Sequence, residues 1–119
     1  MKDFRDLLVW KRSHELALRI YRETECMPRS ELYGITSQIR RAAYSMPSNI
    51  AEGCGRGSDA DFARFVQIAM GSACELEYFL LFAKDLGFLE EAKQSELNEE
   101  LTQIKRMLTA FLKTLKADR

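Results

Sequence analysis

The chain has 119 residues and 13.8 kDa, is 46% hydrophobic and 30% charged, and balances 18 basic side chains with 18 acidic ones for a formal net charge of zero. That length fits one domain over residues 1–119, since a chain of this size buries roughly two-thirds of its extended surface and needs no staples. Ordinary apolar content at zero net charge excludes disordered, low-complexity and collagen-like chains, and three cysteines without a C-x-x-C pair give neither a disulfide framework nor a zinc clip.

The first residues, MKDFRDLLVWKR, flank a four-residue apolar run with charges, too short for the ~7 to 15 residues of a signal-peptide core. The longest uninterrupted apolar run, Tyr78 to Ala83, has six residues, against the ~20 needed to span a bilayer. A cytoplasmic address with no membrane partner is expected. A first helix is expected from about Leu7 to Glu25, with Trp10, His14, Ala17, Tyr21 and Thr24 on one stripe, and Pro28 separates it from the next. A second begins near Glu31 with a seam of Leu32, Ile35, Ile39, Ala42, Met46 and Asn49, and the glycine-rich run Gly53 to Gly57 follows. Pro47 falls inside that pattern. A proline there removes one backbone hydrogen bond and crowds the preceding turn, so the helix either kinks or ends at about residue 46.

The third helix, about 59 to 86, has the clearest seam: Phe62, Val66, Ala69, Ala73, Leu76, Leu80 and Ala83 follow steps of four and three. Ser58 suits its amino-terminal cap and Gly87 a left-handed carboxy-terminal one. A fourth, about 89 to 116, repeats the alternation with Leu97, Leu101, Ile104, Leu108, Phe111 and Leu115. Glu90 and Glu91 stand early in it and Lys113 and Lys116 late, as the helix dipole favours. With no strand-like alternation and no repeat, the fold class is all-α, an antiparallel up-down four-helix bundle. The third helix carries a second apolar stripe of Phe65, Ile68, Phe79, Phe82 and Leu86. A helix apolar on two faces wants two partners, which makes Phe65, Ile68, Phe79 and Phe82 candidates for an oligomer interface.

Motifs for catalysis are missing. His14 is the only histidine, and neither an H-E-x-x-H nor a pair of E-x-x-H motifs includes it. No G-x-S-x-G occurs, and Gly53 to Ser58 lacks the G-K-S/T ending of a phosphate loop. No catalytic residue, metal ligand, cofactor or small-molecule substrate is assigned. Polar residues Gln38, Arg41, Ser45, Ser48 and Glu52 instead form a stripe beside the second helix's seam. Folding helices two and three back about residue 56 brings Arg41 and Gln38 to Ser72 and Glu75, with Gly71 allowing close approach. A structural network of Gln38, Arg41, Asn49 and Glu75 that fixes register and assembly is expected. Residues 1–60 hold two more basic than acidic side chains and residues 61–119 two more acidic than basic. The candidate nucleic-acid contacts are Lys11, Arg12, Arg40 and Arg56, because binding needs local rather than net positive charge.

Val9-Trp10, Pro28, the stretch Glu31 to Ala43, the signature Pro47-Ser48-Asn49-Ile50-Ala51-Glu52-Gly53, Gly55-Arg56, and Phe65 through Ile68-Ala69 and Gly71-Ser72 to Glu75 resemble the bacterial four-helix-bundle proteins called 23S ribosomal RNA intervening-sequence proteins. The resemblance covers nearly the whole chain, with small departures at Ile35, Met46 and Cys54. It implies a cytoplasmic bacterial protein that assembles as a ring-like homopentamer and has no known enzymatic activity. The family's name records genes found within intervening sequences of ribosomal RNA. More distantly, the chain is similar to the accessory variability proteins of diversity-generating retroelements, pentamers whose basic surfaces engage nucleic acid and a reverse transcriptase. Two functions are therefore expected as alternatives: an oligomeric scaffold that binds RNA or a nucleic-acid-handling protein, and a purely structural or protein-interaction bundle.

Overall fold

The computed structural model describes residues 3–117. Four helices follow one another: α1 (Leu8–Glu23), α2 (Ile35–Cys54), α3 (Asp59–Asp85) and α4 (Glu91–Ala117), with 3-10 turns at Phe4–Asp6, Thr24–Cys26 and Arg29–Glu31. Each helix packs on its neighbour in sequence, and α1 on α4 closes the ring. Ion pairs give the direction. Arg12–Glu100 at 2.7 Å, Arg19–Glu96 at 3.3 Å and Glu23–Lys93 at 2.7 Å pair ascending positions on α1 with descending ones on α4, so the two run antiparallel. The result is a rod of 46 × 22 × 19 Å, the up-down bundle.

The seams of α3 and α4 bury as their spacing predicts. Val66, Ala69, Ala73, Leu76 and Leu80 are fully covered, as are Leu97, Leu101, Ile104 and Leu108. The Ser58 hydroxyl accepts the Asp61 backbone N–H at 3.2 Å to start α3. Gly87, with φ of 81°, turns the chain out of it.

Two elements differ from expectation. Helix α2 starts at Ile35, four residues later than the pattern suggests, because residues 29–31 wind a 3-10 turn and Leu32 is exposed. It does not end at 46: Pro47 is buried mid-helix and the helix continues to Cys54. The missing N–H leaves Ala43 without its usual acceptor bond, and Met46, Ile50 and Cys54, all buried, hold the next turns in place. The buried face of α1 is rotated from the aromatic stripe. Val9, Ser13, Leu16, Ala17 and Ile20 point inward, while Tyr21 is exposed and Trp10 stacks on His14 at the edge, with ring centroids 4.7 Å apart.

Uninterrupted runs understate α3. Its most apolar 18 residues have a mean hydropathy of 1.3, which by length and composition alone suffices to cross a membrane, and a third of that window is buried in the bundle. Apolar side chains on a second face raise the value: Ile68, Tyr78, Leu81, Phe82 and Leu86 are all exposed.

Candidate functional site

The joint between α2 and α3 is built by the segment from Pro47 to Gly53. A Cβ placed on Gly53 would stand 2.8 Å from a ring carbon of Phe62 and 2.9 Å from the Phe65 Cβ, so only glycine lets α3 pass this close. Gly71, by contrast, is exposed with nothing within 4 Å of such a Cβ. The close approach therefore sits at Gly53, beside the turn, and not at Gly71 in mid-helix, because the helices meet most tightly where the short turn draws them together.

Above that joint, polar side chains bridge the two helices. The Ser45 and Ser72 hydroxyls are 2.9 Å apart, and Asn49 donates its amide to the Ser45 carbonyl at 2.8 Å and the Ser45 hydroxyl at 3.0 Å. Higher still, one Arg41 nitrogen donates to Glu75 at 2.9 Å and to Gln38 at 3.2 Å. The four residues grouped from sequence thus fall into two clusters. Gln38, Arg41 and Glu75 form one, and Asn49 joins Ser45 and Ser72 in the other. Arg41 and Glu75 are nearly half exposed, at 46% and 42% of their side-chain surface.

These polar groups lie along an uncovered apolar face. Ile68, Gly71, Glu75, Tyr78 and Phe82 succeed one another at helical steps of three and four, and all five are exposed. Tyr78 packs on Phe82 and Phe79, with ring centroids 5.9 and 6.1 Å apart, into an aromatic cluster. Leu86 extends the apolar surface, and Tyr44 on α2 is exposed as well. Phe79 is half buried against the core. Phe65 must be taken out of the interface group: it is 6% exposed, wedged at Gly53, with the guanidinium carbons of Arg56 and Arg64 each 4.7 Å from its ring centroid. Its surface is already covered by its own chain.

Most of the cations grouped from sequence are committed within the subunit. Arg12 donates to Glu100 at 2.7 Å. Arg40 donates to the Thr24 hydroxyl at 2.9 Å and the Tyr21 carbonyl at 3.1 Å, and its guanidinium lies 4.6 Å over the Tyr21 ring. Arg56 covers Phe65 and stands 3.5 Å from Glu52. Lys11 is exposed on α1. These four do not converge, since they occupy the α1–α4 seam, the α1–α2 seam, the α2–α3 turn and the outer face of α1. Positive charge collects elsewhere. Between Leu101 and Ala117 helix α4 has Lys105, which Glu77 holds at 2.7 Å, then Arg106, Lys113 and Lys116, and no acidic residue, whereas its four glutamates fall at or before Glu100 and Glu90 stands just ahead of its first turn. That polarity is visible in the sequence once α4 is read for charge as well as for its apolar seam.

Among the described residues no three His, Cys, Asp or Glu side chains gather where they would hold a metal ion. A hollow of about 740 Å³ lies at one end of the bundle, lined by Arg22, Glu23, Cys26, Phe88 and Lys93 among others, and Glu23 and Lys93 are paired with each other.

No curated protein matches the chain. Among solved structures, the crystal structure of a Bacteroides thetaiotaomicron protein of unknown function from the S23 ribosomal protein family is similar with a TM-score of 0.83. The two are 27% identical over 89% of this chain and 99% of that one. The family model for 23S rRNA-intervening sequence proteins matches residues 5–110, which takes in all of α1, α2 and α3 and most of α4. The chain belongs to the 23S rRNA-intervening sequence protein family.

Proposed function

We propose that this protein is a non-catalytic homo-oligomeric scaffold, assembled through the outer face of α3, that binds RNA with its assembled surface. The observation that carries the assembly is the stripe of Ile68, Tyr78 and Phe82, exposed at 42%, 57% and 42%, with an arginine–glutamate pair beside it. Three large apolar side chains in one row, extended by Leu86, exceed the scattered apolar residues of an ordinary surface and call for a partner. A second copy supplies a matching row and can satisfy the remaining donors of Arg41, and five copies is the number the family resemblance implies. An assembly of five also repeats each local cluster of cations five times, which is how a chain of zero net charge gains affinity for a polyanion.

Light scattering coupled to size exclusion tests the assembly. Wild type elutes as a multiple of 13.8 kDa, and Phe82→Asp elutes as a folded monomer. A wild type that elutes as a monomer at tens of micromolar overturns the proposal.

A further inference from the structure

Helices α3 and α4 leave a furrow along one side of the rod. In its lower half are two open hollows of about 430 and 500 Å³, the first lined by Arg64, Gln67 and Lys116 among others, the second by Met70, Lys105, Arg106 and Lys113 among others. Neither is lined by an acidic residue, although acidic side chains are as frequent in this chain as basic ones. The helix dipole accounts for Lys113 and Lys116 near the end of α4. It fades within about one turn and leaves Arg106, about three turns back, unexplained. Of these cations Lys105 is held by Glu77 at 2.7 Å, and Arg64 lies over the Phe65 ring at 4.7 Å with Asp61 3.8 Å away, so both are engaged within the subunit.

Spacing and chemistry narrow the ligand. From Arg106 to Lys116 the helix advances about 15 Å, the length over which one strand of a nucleic-acid duplex presents about four phosphates. The floor is Ala60, Ala63, Met70 and Ala110, with no aromatic ring lining either hollow to serve as a stacking platform for bases. Exposed cations along a mostly apolar floor suit an anionic backbone read without regard to sequence.

We infer that the lower furrow between α3 and α4, through Arg106, Lys113 and Lys116, is the surface on which this protein holds the phosphate backbone of RNA. The inference rests on the RNA reading proposed above and moves its site away from Lys11, Arg12 and Arg40. The furrow adjoins the assembly face at Ile68, which borders its first hollow, so each furrow lies beside a subunit junction and the copies together make a ring of phosphate sites.

The test is fluorescence anisotropy of a labelled single-stranded RNA, about 20 nucleotides long, with the intact assembly over a series of salt concentrations. Three proteins are compared: wild type, the furrow triple Arg106→Gln/Lys113→Gln/Lys116→Gln, and the charge-matched triple Lys11→Gln/Arg22→Gln/Arg29→Gln on the α1 side. All six positions are exposed, and light scattering confirms that each variant keeps the wild-type mass. Wild-type affinity falls log-linearly with salt, the furrow triple loses tenfold or more and flattens the slope by about two, and the control triple stays within about threefold. Equal losses in the two triples, or none in the furrow triple, overturn the furrow while leaving the RNA reading standing. An intact wild-type assembly that binds no RNA at about 50 mM salt overturns the RNA reading and the furrow with it. Anionic lipid vesicles that displace bound RNA from the furrow at equal phosphate concentration also overturn it.

Discussion

Arg41 on α2 and Glu75 on α3 are joined at 2.9 Å, and Glu75 falls between Ile68 and Phe82 on the same exposed helical row. This charge pair therefore stands within the apolar surface. In an isolated subunit such a half-exposed pair is worth about 0–1 kcal/mol. Covered by a neighbouring copy, its loss leaves one charge desolvated without its partner, which costs far more.

Arg41→Ala and Glu75→Ala are accordingly expected to leave the unfolding midpoint of the subunit almost unchanged while each lowers the assembled fraction. The double variant is little worse than either single one, the mark of two residues acting through one interaction. Additive losses, measured by light scattering over a dilution series, would contradict this.

Phe65 and Phe82 separate the core from the assembly face. Phe65→Ala removes a covered ring wedged at Gly53 and lowers subunit stability by about 3 kcal/mol in a denaturant titration. Phe82→Ala costs the subunit less than about 1 kcal/mol and acts on the oligomer instead. The reverse order would place the interface elsewhere.

The two glycines of the α2–α3 hairpin have opposite signs. Gly53→Ala forces a Cβ to within 2.8 Å of Phe62 and is destabilising by about 1–3 kcal/mol. Gly71→Ala meets open space in mid-helix and stabilises the subunit by about 0.5–1 kcal/mol. Chemical denaturation of the dissociated Phe82→Asp background checks both without interference from assembly.

The ion pairs set the pH response. The hydrogen bond from Lys93 holds the Glu23 carboxyl below its ordinary 4.5, and the same bond holds the Lys93 ammonium above its ordinary 10.5. Glu77 raises Lys105 in the same way. A lowered carboxyl stabilises the fold above its ordinary value and loses that contribution as pH falls through the folded value. A raised ammonium contributes below 10.5 and loses it as pH rises through the folded value. Thermal unfolding is expected to be level from about pH 5.5 to 9.5, with shallow losses outside that window. Glu23→Gln shrinks the acid-side loss. A midpoint that drifts steadily between pH 6 and 9 would contradict this origin.

Much of the bundle was legible because α3 and α4 keep an unbroken pattern of threes and fours, and a seam of that kind has only one way to bury itself. The face of α1 was not. Of the stripe of Trp10, His14, Ala17, Tyr21 and Thr24, only Ala17 and Thr24 are buried, and Ser13, outside it, is buried too. The hydroxyls of Ser13 and Thr24 donate to the carbonyls of Trp10 at 3.0 Å and Ile20 at 2.7 Å, and hydrophobic patterning does not register a polar group satisfied by its own helix.

Charge was the least legible feature. Arg12 looks like a nucleic-acid contact until α4 brings Glu100 against it from a distant part of the chain. The same pairing of α1 with α4 engages Glu96 and Glu100 in the acidic half of α4, while in its basic half Lys105 is held by Glu77 and Arg106, Lys113 and Lys116 stay exposed. Pro47 shows a different limit. Its cost is local and fixed, but whether the helix ends there depends on the core contacts of Ile50 and Cys54, which belong to the folded bundle.

Sedimentation velocity with labelled RNA, followed at both the protein and the RNA wavelength, reads assembly and RNA binding in one experiment. The RNA is expected to travel with a multiple of the 13.8 kDa chain at about 50 mM salt and to be released at about 500 mM while the protein keeps its mass. Protein that sediments as a monomer, or an intact oligomer that leaves the RNA behind at low salt, would contradict the proposed function.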